Sequence, residues 1–459
     1  MVAYNSLNLS LLPSHEFCVL LSGSRQRDLI ELAANILSEG RQWGKYKRLA
    51  FYLSKKVISL QDISCNSIAD NYIPNWKTNK KFLPLDCYYK LSTLTGIKSH
   101  PQDISLVKCK AALNRTAIEF PFVYNEDLAF LGEAIRVEGH IKSNFYQSTI
   151  SNKNLAFLDM IKKVLVRFVP SSSVYETYSI EADIPDKEMK LINSHMNCSR
   201  YKASRSNKFK IRFYDNIERF PKTYHLTFDS GFNLTISISI IGDELVGTSD
   251  YGIVSPVRTL ALTNITFNRI LNIFLDIPCG KKSDIIKIPL LLMDSPPTVK
   301  IAAINAVLCS ESGVEDKRVR ILMNSRHYID DLRVLFIDLG IPVLVRETCL
   351  SITGRKNLQK VAESLNFIST KKQKKMKTNL LSYKRDVFQK GEALKEILLA
   401  LKEKDYTTLE LSQELNKHKD TIQHHLQGGI KENFIKKDSI SWPYKYSITP
   451  EGSEYLGRC

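Results

Sequence analysis

The feature that most constrains this chain is a pattern that occurs twice: an apolar helix ending in an acidic residue, then a strand, then a second helix. The first copy is Leu128 to Ile141 (LAFLGEAIRVEGHI), followed by strand-like FYQSTIS and the helical LAFLDMIKKVLVRF. The second is Lys300 to Val314 (KIAAINAVLCSESGV), followed by KRVRILMNSRH and the helical YIDDLRVLFIDLG. Aligning Glu138 with Glu311 superposes Leu128, Leu131 and Ile135 on Ile301, Ile304 and Leu308. Both triplets form a stripe at i, i+3 and i+7, which is one face of a helix. The chain therefore carries an internal repeat, and residues 120–372 are expected to form one two-repeat domain of alternating strands and helices.

The whole chain of 459 residues exceeds the length at which a single core stops growing, so further domains are expected on either side. Residues 1–115 read as a helical module. Leu29, Leu32, Ala33, Ile36 and Leu37 fall at helical spacing before Gly40, a second short helix covers Lys45 to Leu53, and Pro84 suits the first turn of a helix that Gly96 ends. Within the central region, Thr223 to Ile241 is rich in β-branched and aromatic residues at period two, with Gly231 at the expected turn of a hairpin. The lysine-dense stretch Lys371 to Lys377 reads as a solvated face or a linker.

Residues 385–459 carry the clearest local pattern. An amphipathic helix over Glu392 to Lys402 precedes a helix over Leu409 to Leu415 that Thr407 and Thr408 can cap. A third helix begins at Asp420 or Thr421 and runs to about Glu432. A strand, a turn, a returning strand Tyr444 to Ile448 and a final capped helix follow. Three helices and a hairpin make a winged helix, and TTLELSQELNKHKDTIQHHLQGGIKENFIKK with YSITPEG resembles the winged helix-turn-helix family. In that geometry the third helix enters the major groove, where base edges are distinguishable. Lys417, His418, Lys419, Thr421, Gln423 and His424 are expected at its start or on its exposed face, with Ile422, Leu426 and Ile430 inward. The adjacent His424 and His425 point about 100° apart on a helix and make a poor metal pair.

A net charge of +17 points to a polyanionic partner, because neutralising phosphates releases condensed counterions. The cysteines stand singly, without CxxC pairs or Cys/His ligand spacing, which argues against a zinc site or a disulfide framework. No run approaches the roughly 20 apolar residues of a membrane-spanning helix, and MVAYNSLNLSLLP lacks the features of a signal peptide, so a cytoplasmic protein is expected.

The two copies, IPCGKKSDIIKIPLLL before the second, and ITGRKNLQKVAESLNFISTKKQKKM at the end of the region together resemble the LAGLIDADG homing-endonuclease family. The Trp76 and lysine-rich segment before Pro84 is similar to the helix-turn-helix modules that precede some of its members. The resemblance implies an α/β (α+β) protein: a pseudo-twofold αββαββα core, a helical helix-turn-helix-like module before it and a winged helix after it. It implies that the two repeat helices pack along small residues and that Glu138 and Glu311 supply metal-binding carboxylates. It also places Lys282 and Lys372 as basic residues near an active site. The sequence departs from the pattern where Glu133 replaces a small residue, Arg136 and Cys309 replace acids, and Ser312 replaces a glycine.

Those assignments suit phosphodiester hydrolysis. A hard divalent cation such as Mg²⁺, held by one or two carboxylates and its own waters, clamps negative oxygens and activates water, and nearby lysines stabilise developing charge. The leading expectation is a monomeric, Mg²⁺-dependent endonuclease on double-stranded DNA, with catalytic Glu138, Glu311, Lys282 and Lys372 and DNA-binding Lys417, Lys419, Thr421, Gln423 and His424. The alternative is a catalytically inactive transcriptional regulator that joins a degenerate domain of this kind to a helix-turn-helix. Binding of intron RNA would use the same basic surface. An intein is disfavoured by the residues at the two ends, Met1 and Arg458–Cys459.

Overall fold

The computed structural model describes residues 9–38, 44–98, 101–110, 116–182, 196–202, 207–213, 221–227, 233–250, 252–382, 392–439 and 442–458. The chain begins with a mixed unit. Strand β1 (Phe17–Leu21), helix α1 (Arg25–Ser38), helix α2 (Lys45–Lys56), helix α3 (Leu85–Thr95) and strand β2 (Ile104–Cys109) form it, with β1 and β2 antiparallel at the centre of a small sheet. Residues 1–115 are thus not the all-helical module that the periodicity suggested. The run FCVLL is too short and too uniformly apolar for its period to separate a buried strand from a buried helix. Trp76, 1% exposed, is a core side chain whose indole N–H donates to the Phe82 carbonyl.

The central region has the expected mixed α/β class and contains the repeat. Its first half runs α4 (Glu126–Val137), β3 (Gly139–Ile141), β4 (Ser148–Asn152), α5 (Leu155–Leu165) and β5 (Val174–Ala182). An insertion follows, with strands β6 (Met196–Lys202), β7 (Asn207–Phe213), β8 (Lys222–Thr227), β9 (Asn233–Ile241) and β10 (Glu244–Ser249). Strand β11 (Gly252–Leu262) and helix α6 (Ile265–Phe274) close this half. The second half runs α7 (Pro297–Glu311), β12 (Ser312–Glu315), β13 (Arg318–Leu322), α8 (Arg326–Asp338), β14 (Leu344–Arg346), β15 (Cys349–Thr353) and α9 (Arg355–Ser364), followed by α10 (Thr370–Ser382).

The halves share one topology. Strand order is β3-β4-β11-β5 in the first and β12-β13-β15-β14 in the second, each an αββαββα unit. In the first half the inserted strands extend this sheet, β7 and β6 beyond β5, and β10, β9 and β8 from the N-terminal part of β11. The hairpin expected over Thr223 to Ile241 is β8 paired with β9; Gly231 lies outside the described residues.

Local chemistry explains where the helices start. Asn125, Asn154, Asn264 and Ser325 cap α4, α5, α6 and α8, each side chain accepting from a backbone N–H three residues on. Pro297 occupies the first turn of α7, where its missing N–H has no helical partner to lose. A continuous hydrophobic core runs from Leu12 to Met376 and joins the N-terminal unit to both halves of the repeat. A separate core, Ala393 to Tyr446, belongs to the C-terminal unit.

That unit consists of α11 (Ala393–Glu403), α12 (Thr408–Glu414), α13 (Lys419–Lys431), β16 (Ile435–Asp438), β17 (Lys445–Ile448) and α14 (Pro450–Arg458). Thr407 and Glu410 form a reciprocal capping box at the start of α12, and β16 pairs antiparallel with β17 as a wing. The lysine-dense stretch is neither a linker nor a uniformly solvated face. It lies on α10, whose Met376 is 2% exposed and holds the helix against the core.

Candidate functional site

Helices α4 and α7 pack against each other, and Leu131, Ala134, Ile135, Ala303, Ile304 and Val307 on them are buried. On another side of α4 the chain just after α6 comes close, since a Cβ on Gly132 would stand 2.7 Å from the Leu275 side chain. The stripe ends at Glu138, the C-cap of α4, and at Glu311, the last residue of α7. The two carboxylates feel each other. Burial, and then the charge of Glu311, push the Glu138 carboxyl up to about 7, against the pull of Lys372, an Asn152 hydrogen bond and Lys282. Burial also raises Glu311, with Lys372 opposing. Asn152 Nδ2 donates to Glu138 Oε1 at 3.0 Å.

The two lysines occupy equivalent positions in the halves, eight residues beyond the end of α6 (Phe274 to Lys282) and eight beyond the end of α9 (Ser364 to Lys372). Lys282 Nζ donates to the Ile135 carbonyl, and Lys372 Nζ donates to the Leu308 and Cys309 carbonyls at 2.9 and 2.8 Å. Ile135 and Leu308 each lie three residues before their glutamate, so both lysines cap the carbonyl-rich, partially negative ends of the two helices. Burial drives Lys282 down to about 7, with the Arg136 guanidinium adding to the effect, and burial also lowers Lys372.

Three of the departures, Glu133, Arg136 and Ser312, have partners within the fold. Glu133 accepts from Arg136 Nε at 2.8 Å and from the Tyr328 hydroxyl at 2.6 Å, and Arg136 also donates to the carbonyls of Leu275 and Asp276. Glu133 and Arg136 are 2% and 0% exposed, and their pairing supplies the hydrogen bonds a buried ion pair needs. Gly139 is required by close approach, since a Cβ there would lie 2.7 Å from the Ile135 carbonyl. Ser312 fills the corresponding place by donating its hydroxyl to the Leu308 carbonyl.

One participant had no signal in the pattern. Asp243 stands in the tight turn between the inserted strands β9 and β10, after Gly242 with φ of 65°. Its carboxylate accepts from Thr370 N–H at 3.0 Å and Asn154 Nδ2 at 3.2 Å, and the neighbouring Glu244 meets Lys371 at 3.2 Å. The inserted sheet therefore pins the first turns of α5 and α10, the latter carrying Lys372. A cleft of about 280 Å³ opens between this turn and β12, lined by Lys153, Lys371, Lys372 and Lys375.

What could this centre hold? Mg²⁺ takes one or two carboxylates and keeps several waters, so Glu138 and Glu311 are the side chains here that would be available to such an ion. Among the described residues no group of three or more His, Cys, Asp or Glu side chains stands ready for a metal.

In the winged helix, Lys419, Gln423 and His424 are exposed and Thr421 is half-buried on α13, whereas Lys417 is 7% exposed and does not present itself to solvent. Lys417 lies in the turn between α12 and α13, tied to Ser412 through both its N–H and its carbonyl. Gln427 and Lys431 continue the exposed face at helical spacing from Gln423. The wing adds exposed Lys436, Lys437 and Lys445, an 83% exposed Trp442, and Lys437 Nζ set 3.7 Å from the Tyr444 ring centre. The aromatic-basic alternation in WPYKY was the available sign of this surface.

No protein-family model matches the chain, and no curated protein does. The solved structures it is similar to include that of full-length DUF199/WhiA from Thermatoga maritima, at 10% identity over 68% of this chain and 93% of that one, with a TM-score of 0.28. A likeness at that level carries no argument about function. The expected membership in the LAGLIDADG homing-endonuclease family is overturned, since no model of that family matches the chain. The physical reason lies in what the stripe encodes. Two buried helices need the same apolar spacing whatever they do, so the stripe reports a packed helix pair and not an activity. No helix among the described residues is long and apolar enough to cross a membrane.

Proposed function

We propose that this chain is a sequence-specific binder of double-stranded DNA that regulates transcription and acts as a single chain, its two halves serving as an internal pair. The observation that carries the reading is the winged helix. The exposed face of α13 offers Lys419, Gln423, His424, Gln427 and Lys431 beside a wing bearing Lys436, Lys437 and Lys445. Amide and cationic side chains at that position can read base edges in the major groove, and the wing lysines would neutralise phosphates. The net charge of +17 supports the same partner. Selecting a preferred site from a random duplex pool provides the substrate for the test. Gln423→Ala and Lys419→Ala should then weaken binding to the selected site by about 1–3 kcal/mol while leaving random duplex unaffected. Equal losses on both duplexes, or no selected site at all, would refute sequence reading by α13.

The carboxylate pair favours a second reading, Mg²⁺-dependent hydrolysis of the bound duplex. Glu138 and Glu311 would hold the ion, which when bound would clamp a phosphate oxygen and acidify water. Lys282 and Lys372 would orient the helix ends that carry those carboxylates, since each donates to main-chain carbonyls there. Incubating a plasmid carrying the selected site with Mg²⁺ separates the readings. Nicked or linear product that disappears in Glu138→Gln and Glu311→Gln supports hydrolysis, and intact plasmid leaves the regulator.

A further inference from the structure

The outer face of α2 has no part in the reading above. Lys47, Phe51 and Lys55 stand at i, i+4 and i+8, and Arg48, Tyr52 and Lys56 repeat the order one residue on. Each row is cation, aromatic, cation along one helix face. With Leu37 of α1 these residues line an open groove of about 580 Å³. Its floor is apolar: Phe51 is 53% exposed, and Leu37 and Tyr52 are half-buried. Helix α2 contains no acidic residue.

The inner side of the same helix is different. Lys45 pairs with Glu31 at 2.8 Å, and Lys77 joins them. Among the described residues no carboxylate forms an ion pair with Lys47, Arg48, Lys55 or Lys56. The fold thus neutralises the cations it buries and leaves a positive rim around an exposed apolar floor.

Three kinds of anionic partner could meet such a rim, and the floor decides among them. Duplex phosphates offer no apolar surface to cover Phe51 and Leu37. Unpaired bases would stack on Phe51, one face of which carries the Lys55 ammonium 4.1 Å from the ring centre, and would leave the Leu37 part of the floor without an aliphatic partner. An amphipathic helix with leucine-like anchors and flanking carboxylates satisfies both features, its anchors entering at i, i+3, i+4 and i+7 and its acids meeting the rim.

We propose that this groove seats an acidic amphipathic helix of a partner protein. The test measures fluorescence anisotropy of a labelled leucine-glutamate peptide, leucines at i, i+3, i+4 and i+7, on the full chain, beside a scrambled peptide of the same composition. The ordered peptide should bind at least about tenfold more tightly than the scrambled one, a difference of about 1.4 kcal/mol. Phe51→Ser should abolish that preference, and Lys55→Glu with Lys56→Glu should weaken the ordered peptide by about tenfold or more. Excess random-sequence duplex should not displace it. Because Phe51 and both lysines are exposed, matched unfolding midpoints would establish that the variants remain folded. Equal affinity for the two peptides, an unchanged preference in Phe51→Ser, or displacement by duplex would each overturn the proposal, the last pointing to a nucleic-acid surface instead.

Discussion

Glu138 shows how a pattern visible in sequence acquires chemistry only through its surroundings. Its spacing at the end of an apolar stripe was legible, yet nothing in the spacing says that burial and Glu311 lift its carboxyl from 4.5 to about 7. The folded protein therefore holds this proton more tightly than the unfolded chain does. Stability from that group is fully present below about pH 4.5 and is lost as pH rises through about 7. Lys282, lowered to about 7, has the opposite sign, its contribution present above its ordinary value and lost as pH falls through about 7. The lower window thus excludes the lysine, and comparison with Glu138→Gln separates Glu138 from Glu311, whose carboxyl burial also raises. Comparing urea unfolding at about pH 5 and about pH 6.5, wild type should lose about 2 kcal/mol more than Glu138→Gln. Parallel pH slopes would remove the proton from Glu138. Lys417 gives the converse lesson, since residue type alone suggested a DNA contact while the turn it occupies buries it.

Among the elements, helix ends were easier to anticipate than their partners. The capping box of α12 is a local matter of Thr407 and Glu410, readable within four residues. Placement of α10 is not local, because its first turn is held by Asp243 from a hairpin far back in the chain. The lysines of α10 consequently read as a linker when only neighbouring residues are considered. Removing this distant cap should loosen one place. Asp243→Ala is expected to cost about 1 kcal/mol and to speed amide hydrogen exchange at Thr370 to Lys372, with the amides of α13 unchanged. Uniform acceleration throughout the protein, or none at Thr370, would show that the inserted turn does not hold α10.

At the level of the whole molecule, the described residues of the C-terminal unit have a core of their own, Ala393 to Tyr446, separate from the larger core that runs from Leu12 to Met376. Separate cores unfold separately when little apolar surface joins them. Thermal unfolding should accordingly show two transitions. A chain ending at Ser382 should retain the larger one within about 2 °C, the shift that losing only about 1–2 kcal/mol would produce in a unit of that size. The same truncation should lower DNA affinity and flatten its salt dependence, since fewer phosphates are neutralised. A merged transition that shifts by many degrees on truncation would mean that the C-terminal unit stabilises the rest.

Sequence by itself determined what depends on near neighbours and on periodicity: the mixed α/β class, the repeated helix stripe that ends in Glu138 and Glu311, the capped helices and wing of the C-terminal unit, and the strong positive charge. Tertiary structure alone decided what depends on atoms distant in the chain. It built β1 as a central strand into a unit expected to be purely helical, because pairing with β2 satisfies its backbone. It turned Glu133 and Arg136 from departures into a buried pair, because Tyr328, Leu275 and Asp276 reach them from other elements. It also committed Lys282 and Lys372 to helix-end carbonyls, since a buried ammonium must find acceptors wherever the fold provides them.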